Sequence, residues 1–214
     1  MRRAVQGVLL ADGPSDLPLA SHLERLCLDS GAEVTLTPID PRLLPRGVGR
    51  TVEGRLRYLV TQDIRLDIVF VHRDAEAQDP SLRVDEIAGG ASAAGVACPV
   101  VPVVPVRMTE AWLLLDELAI RRVAGRPSGR TNLELPRVNA VERLADPKAA
   151  LKDALLIASE ERGRRRERVV RDFDRHRSLL LERLDTLGPV TQLVSWQRMV
   201  AAVASGLTQL REAR

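Results

Sequence analysis

The hydrophobic pattern changes character halfway along the 214-residue chain. In the first half, short apolar runs alternate with stretches whose apolar residues recur every three or four positions. Residues 4–10 form a continuous apolar run, which suits a strand buried on both faces. Asp12-Gly13-Pro14-Ser15-Asp16 reads as the turn after it. Leu17, Ala20, Leu23 and Cys27 then fall on one face of a helix predicted to reach about Ser30, with Gly31 as its C-cap. Residues 33–39 predict a second strand. Pro41, Pro45, Gly47 and Gly49 mark a loop, and Val52, Leu56, Leu59 and Val60 a second helix. Residues 67–71 are apolar, β-branched and short, the strongest strand signal in the chain. They lead into His72-Arg73-Asp74-Ala75-Glu76. A helix follows over residues 81–94. Residues 99–106 are extended but interrupted by prolines, which places them at a sheet edge.

From residue 109 the pattern becomes helical. Thr109 stands where it could cap a helix through Glu110-Ala111-Trp112-Leu113-Leu114-Leu115. Residues 125–147 are loop-rich. Beyond Asp146, Val169, Phe173, His176, Leu180, Leu184 and Leu187 make one predicted helical stripe. Gly188-Pro189 breaks it, and Leu193, Trp196, Val200, Val203, Leu207 and Leu210 make another. Strand–helix alternation followed by helices predicts an α/β fold. It is an open, mostly parallel sheet with helices on both faces, carried by residues 1–124. Residues 125–214 would be a loop and helical extension packed on it. Ligands of such sheets bind at the carboxyl ends of the strands, where both acidic turns would lie.

Composition narrows the class. With 45% hydrophobic and 29% charged residues the balance is that of an ordinary globular chain. No apolar run approaches the roughly 18 residues of a membrane span. The run that follows Met1-Arg2-Arg3 is too short, and too soon followed by Asp12, for a secretory signal, so the expectation is a cytoplasmic protein. Cys27 and Cys98 sit in apolar surroundings and read as reduced core residues. The net charge is a mild +3. Of 32 basic residues only Lys148 and Lys152 are lysines, leaving 30 arginines. GC-rich coding accounts for such a bias, and so does phosphate recognition by the planar guanidinium fork. Eight arginines between residues 160 and 178 face five carboxylates, which reads either as an ion-paired helix face or as a contact for a phosphate backbone. An aromatic content of 2% speaks against base stacking on single strands.

Phosphate loops, dinucleotide fingerprints, zinc motifs and nucleophile elbows are absent from the sequence. What remains is a carboxylate set: Asp12 and Asp16 after the first strand, Asp74 and Glu76 after the third, and Glu110 at a helix start. Oxygen ligands of this kind suit a hard cation such as Mg²⁺ or Mn²⁺. The same residues equally suit turn and helix-capping roles. His72 reads as packed or as tuning the site. Arg73 and Arg107 read as phosphate ligands or as counter-charges to the carboxylates.

Five segments resemble a known family. Asp12-Gly13-Pro14-Ser15-Asp16 resembles the E-G-x-[ST]-[DE] turn of the TOPRIM domain, and Asp74-Ala75-Glu76 resembles its D-x-D pair. The run from Pro105 to Asp116, with Glu110-Ala111-Trp112-Leu113-Leu114, resembles the signature of a bacterial TOPRIM-like family, domain of unknown function 4276. Gly125-Arg126-Pro127-Ser128-Gly129-Arg130 and Asp146-Pro147-Lys148 are similar to it as well. The resemblance implies a TOPRIM-like α/β core and a Mg²⁺ (or Mn²⁺) site at Asp12, Asp16, Asp74 and Glu76. It further implies phosphodiester-processing, nuclease-like chemistry involving Asp12, Asp74, Glu76 and Glu110, with Arg73 and Arg107 on phosphate. Nucleic acid or a nucleotide would be the substrate and a partner ATPase is a candidate associate, within a bacterial defence system. Asp12 and Glu76 each depart from the family residue by one methylene, which metal binding tolerates better than proton transfer does. A non-catalytic nucleotide- or protein-binding module with vestigial carboxylates is the alternative. Tyr58, inside a predicted helix, does not suit a covalent topoisomerase-like step.

Overall fold

The structure, a computed structural model, describes residues 4–62 and 64–213. The chain forms two compact units, one of residues 1–104 with 197–214, the other of residues 105–196. The division expected at 124/125 therefore falls inside the second unit, and the end of the chain belongs to the first.

The first unit is built on four parallel strands in the order β2-β1-β3-β4. They are β1 Val5–Leu10, β2 Val34–Ile39, β3 Ile68–His72 and β4 Val100–Val103. β1 and β3 are central and almost wholly buried, as their continuous apolar runs require. The proline-containing β4 lies at the edge, because proline lacks the N–H a central strand must donate. Helices α1 Leu19–Asp29, α2 Val52–Val60 and α3 Pro80–Ala94 connect the strands. Right-handed crossovers put α1 on one face and α2 and α3 on the other, because the strand order reverses direction once, at β1 and β3.

Side-chain alternation divides the two faces. Val8, Leu10, Val69 and Val71 pack with Val52, Leu56, Leu59 and Ile87 of α2 and α3. Leu9, Ile68, Phe70 and Val101, the alternate positions, are equally buried. Ile68 and Val101 meet the last helix at Gly206, where a Cβ would come within 2.6 Å of Val101 Cγ2. Gly7 in β1 is needed for a similar reason: a Cβ there would lie 2.7 Å from the carbonyl oxygen of Ile68. Helix caps fix where the helices begin. Thr51 accepts from the Gly54 N–H at 3.1 Å, and Asp79 from the Ser81 N–H at 2.9 Å with Pro80 next to it.

The second unit is helical: α4 Glu110–Leu113, α5 Glu117–Val123, α6 Val138–Val141, α7 Pro147–Ser159, α8 Arg164–Arg171 and α9 Phe173–Glu182. The last helix, α10 Val194–Glu212, starts in this unit and continues into the first from Gln197. Trp112 and Trp196 meet edge to face with centroids 5.1 Å apart, and the Trp112 indole N–H donates to Ser195 Oγ at 2.8 Å. The Glu142 carboxylate accepts from the Val194 and Ser195 N–H groups, satisfying donors at the start of α10. Both lysines of the chain lie over the Phe173 ring, at 5.8 and 5.0 Å.

Two expectations need correction here. The predicted stripe from Val169 to Leu187 is not one helix. It breaks at Asp172, the next helix ends at Glu182, and Leu187 is 82% exposed. α8 fully buries none of its residues, so little packing holds it in line with α9. Thr109 has helical φ and ψ and makes no side-chain cap, and α4 is a single turn. Asp116 instead caps α5, accepting from the Ala119 N–H at 2.9 Å. Among the described residues no helix is long and apolar enough to cross a membrane.

Candidate functional site at the carboxyl ends of β1 and β3

Open parallel sheets form a crevice where the strand order reverses, because the connections from the two central strands diverge to opposite faces. Here that point lies between the carboxyl ends of β1 and β3. A cleft of about 660 Å³ opens there, lined by Asp12, Asp16, Asp74 and Glu76 together with Arg42, Arg50, Arg55 and Arg73. The structure thus brings all four expected metal ligands to one place, from the turns after β1 and β3.

His72, the last residue of β3, organises the floor. It is fully buried and its Nδ1 accepts the Asp12 backbone N–H at 3.4 Å. Nδ1 lies 3.9 Å from Asp16 Oδ2 and Nε2 lies 3.6 Å from Asp74 Oδ1. Asp16 is itself buried, unusual for a carboxylate. Asp12 receives Arg73 Nη1 at 2.9 Å, and the other Nη of Arg73 is 3.4 Å from Glu86. Glu76 has a left-handed φ of 54°, a conformation that costs a non-glycine residue on the order of 1 kcal/mol and recurs at functional sites.

None of these carboxylates is the N-cap of α1 or α3. Asp79, not Asp74 or Glu76, caps α3, and α1 begins at Leu19 behind Pro18, so neither Ser15 nor Asp16 occupies its N-cap. Among the described residues, however, no group of three or more His, Cys, Asp or Glu side chains converges into a ready-made metal cage.

Of the cationic side of the cleft, sequence reading named Arg73 but missed Arg42, Arg50 and Arg55. Arg55 is 7% exposed, and its Nη1 donates to the Ala11 carbonyl at 3.2 Å. Its buried Nε has no acceptor, nor has the buried Nε of Arg73. An unsatisfied buried donor costs about 1–3 kcal/mol. Burial pushes the Arg55 guanidinium below its ordinary value; Asp12 opposes the shift, while Arg73 and Arg50 add to it. A signal for Arg55 was present: it stands three residues after Val52 and four before Leu59, on the buried face of α2. Val60, read as part of that face, is instead 43% exposed. Arg42 is held by Asp40 through paired contacts of 2.7 to 3.2 Å.

The other two expected site residues belong to the second unit. Glu110 is buried, and its Oε1 accepts from Arg177 Nε at 2.8 Å, so its carboxylate serves a buried ion pair. Arg107 occupies a turn with a left-handed φ of 64°. Neither lines the cleft.

Compared with known protein families, curated proteins and solved structures, the chain matches none. Its function has to be argued from the cleft.

Proposed function

We propose that the cleft binds a phosphate ester, and that the protein is a Mg²⁺-dependent phosphodiester-processing enzyme of nuclease type acting on nucleic acid or a nucleotide. The observation that carries this reading is the meeting of four carboxylates and four guanidinium groups in one cleft at the reversal point of the sheet. The likeness of Asp12–Asp16 and Asp74–Glu76 to the TOPRIM acidic motifs supports it. Asp12, Asp74 and Glu76, with Asp16 behind them, are the oxygen donors for Mg²⁺ or Mn²⁺. Such ions take one or two carboxylates and fill their remaining positions with water and phosphate oxygens, so a donor set without a preformed cage suits them. A bound ion would offset charge on the phosphoryl group and favour ionisation of water.

The chain's own residues do the rest. Arg73 holds Asp12 in place and presents its guanidinium to phosphate oxygens in the same cleft. His72, buried between Asp16 and Asp74, orients the turn after β3 against the turn after β1. A second reading is a non-catalytic nucleotide-binding module, favoured by the Asp12–Arg73 ion pair, which already neutralises one of the carboxylates. Incubating the protein with labelled DNA, RNA and bis(p-nitrophenyl) phosphate in Mg²⁺ or Mn²⁺ distinguishes the two. Divalent-dependent cleavage that disappears in Asp74→Asn is the expected result. No cleavage of any substrate by the wild type would overturn the enzyme reading and leave the module.

A further inference from the structure

The carboxylates account for only one side of the cleft. On the other side Arg55 lies within the field of Arg73 and Arg50, opposed by Asp12, while Arg73 also reaches Asp12 at 2.9 Å and Glu86 at 3.4 Å. Guanidinium groups brought together in this way repel one another, and a bound anion would relieve that repulsion. Two of these guanidinium groups keep a buried Nε with no acceptor. Arg55 is more than nine-tenths buried, so water does not satisfy it readily. Arg50 is exposed on the loop before α2, with no carboxylate partner among the described residues. A buried guanidinium with spare donors, a second one beside it and an exposed third at the mouth are what a bound phosphoryl group asks for, since its oxygens accept several charge-assisted hydrogen bonds at once.

We infer that Arg50, Arg55 and Arg73 form a phosphoryl-binding subsite that works without metal and holds a second, non-reacting phosphate of the ligand. This rests on the phosphate-ester reading above and makes it narrower: the substrate carries at least two phosphoryl groups, one at the carboxylates and one at the arginines. A cleft of about 660 Å³ is far larger than a single phosphate needs and lies within the usual range for nucleotide-sized ligands.

The test is calorimetric titration of the full-length protein at low salt with inorganic phosphate in EDTA, then with phosphate and pyrophosphate in Mg²⁺. In EDTA the wild type binds phosphate, and Arg50→Ala binds it about tenfold more weakly through loss of one charge-assisted contact. Arg55→Gln behaves likewise. Because Arg55 also supports the Ala11 carbonyl, the exposed Arg50→Ala is the variant that decides if Arg55→Gln does not fold. Asp74→Asn binds phosphate in EDTA at least as well as wild type, because the metal side is not involved. In Mg²⁺ the wild type prefers pyrophosphate to phosphate by about tenfold or more, a preference that Arg50→Ala loses. Absence of phosphate binding in EDTA, or binding unchanged in Arg50→Ala, would overturn the subsite even if divalent-dependent cleavage is found. Equal affinity for the two anions in Mg²⁺ would overturn the second phosphoryl group. Loss of cleavage in Asp74→Asn bears on the metal reading alone.

Discussion

The same two residue types meet in both units, with opposite results. In the second unit Glu110 and Arg177 form a buried pair at 2.8 Å, each side chain 4% exposed. In the first unit Arg50, Arg55 and Arg73 line one cleft with Asp12, and the buried Nε atoms of Arg55 and Arg73 are left without acceptors. A matched buried pair is a structural element: its desolvation is offset within the chain. An unmatched cluster in an open cleft leaves part of its charge and hydrogen-bonding capacity for something from outside. The contrast teaches that burial of a charge does not by itself mark a site, whereas burial with unspent donors beside an opening does.

The comparison can be broken by mutation. Glu110→Gln should be the most damaging change, because it strands the buried Arg177 charge; a loss of about 3–5 kcal/mol is expected in denaturant unfolding. Replacing both partners by leucine and methionine should restore much of that loss. Trp196→Ala acts on the same unit and should cost a comparable ~3–5 kcal/mol, since Trp196 is 2% exposed and stacks edge to face on Trp112. Either change leaving stability untouched would mean that the second unit is not held by these groups.

Arg55→Met should behave differently although Arg55 is nearly as buried as Arg177. It removes an unsatisfied donor and relieves repulsion from Arg50 and Arg73, while giving up the bond to Ala11. Unfolding free energy should stay within about 1 kcal/mol of wild type. A loss as large as that of Glu110→Gln would place Arg55 with the structural pair and remove the contrast.

Sequence pattern carried the first unit further than the second. The apolar runs of β1 and β3 and the prolines of β4 reported burial and edge position directly, and with them the place of the acidic turns. Four carboxylates could be assigned to one rim because a strand end fixes which way the following turn leaves the sheet. Arg55 stayed hidden because a lone arginine on an apolar helical face looks like a boundary residue until the carbonyl it reaches, that of Ala11, is brought near by folding. Glu110 shows the reverse error. A carboxylate at a helix start reads as chemistry, yet its partner Arg177 lies 67 residues away, a distance no local pattern spans. The periodicity of α10 revealed an amphipathic helix but not that its later residues, Gly206 among them, return to the sheet.

The smallest stability effect is also the most direct test. The central claim is that the carboxylates of the cleft serve a ligand rather than the fold. Wild type and Asp74→Asn should be melted side by side in EDTA and in millimolar Mn²⁺. Asp74→Asn is nearly isosteric and lies in a rim turn that caps no helix, so in EDTA its melting temperature should stay close to that of wild type. Mn²⁺ should raise the melting temperature of wild type by linkage and leave the variant unmoved. A variant less stable than wild type in EDTA, together with a wild type indifferent to Mn²⁺, would assign Asp74 to the fold and contradict the claim.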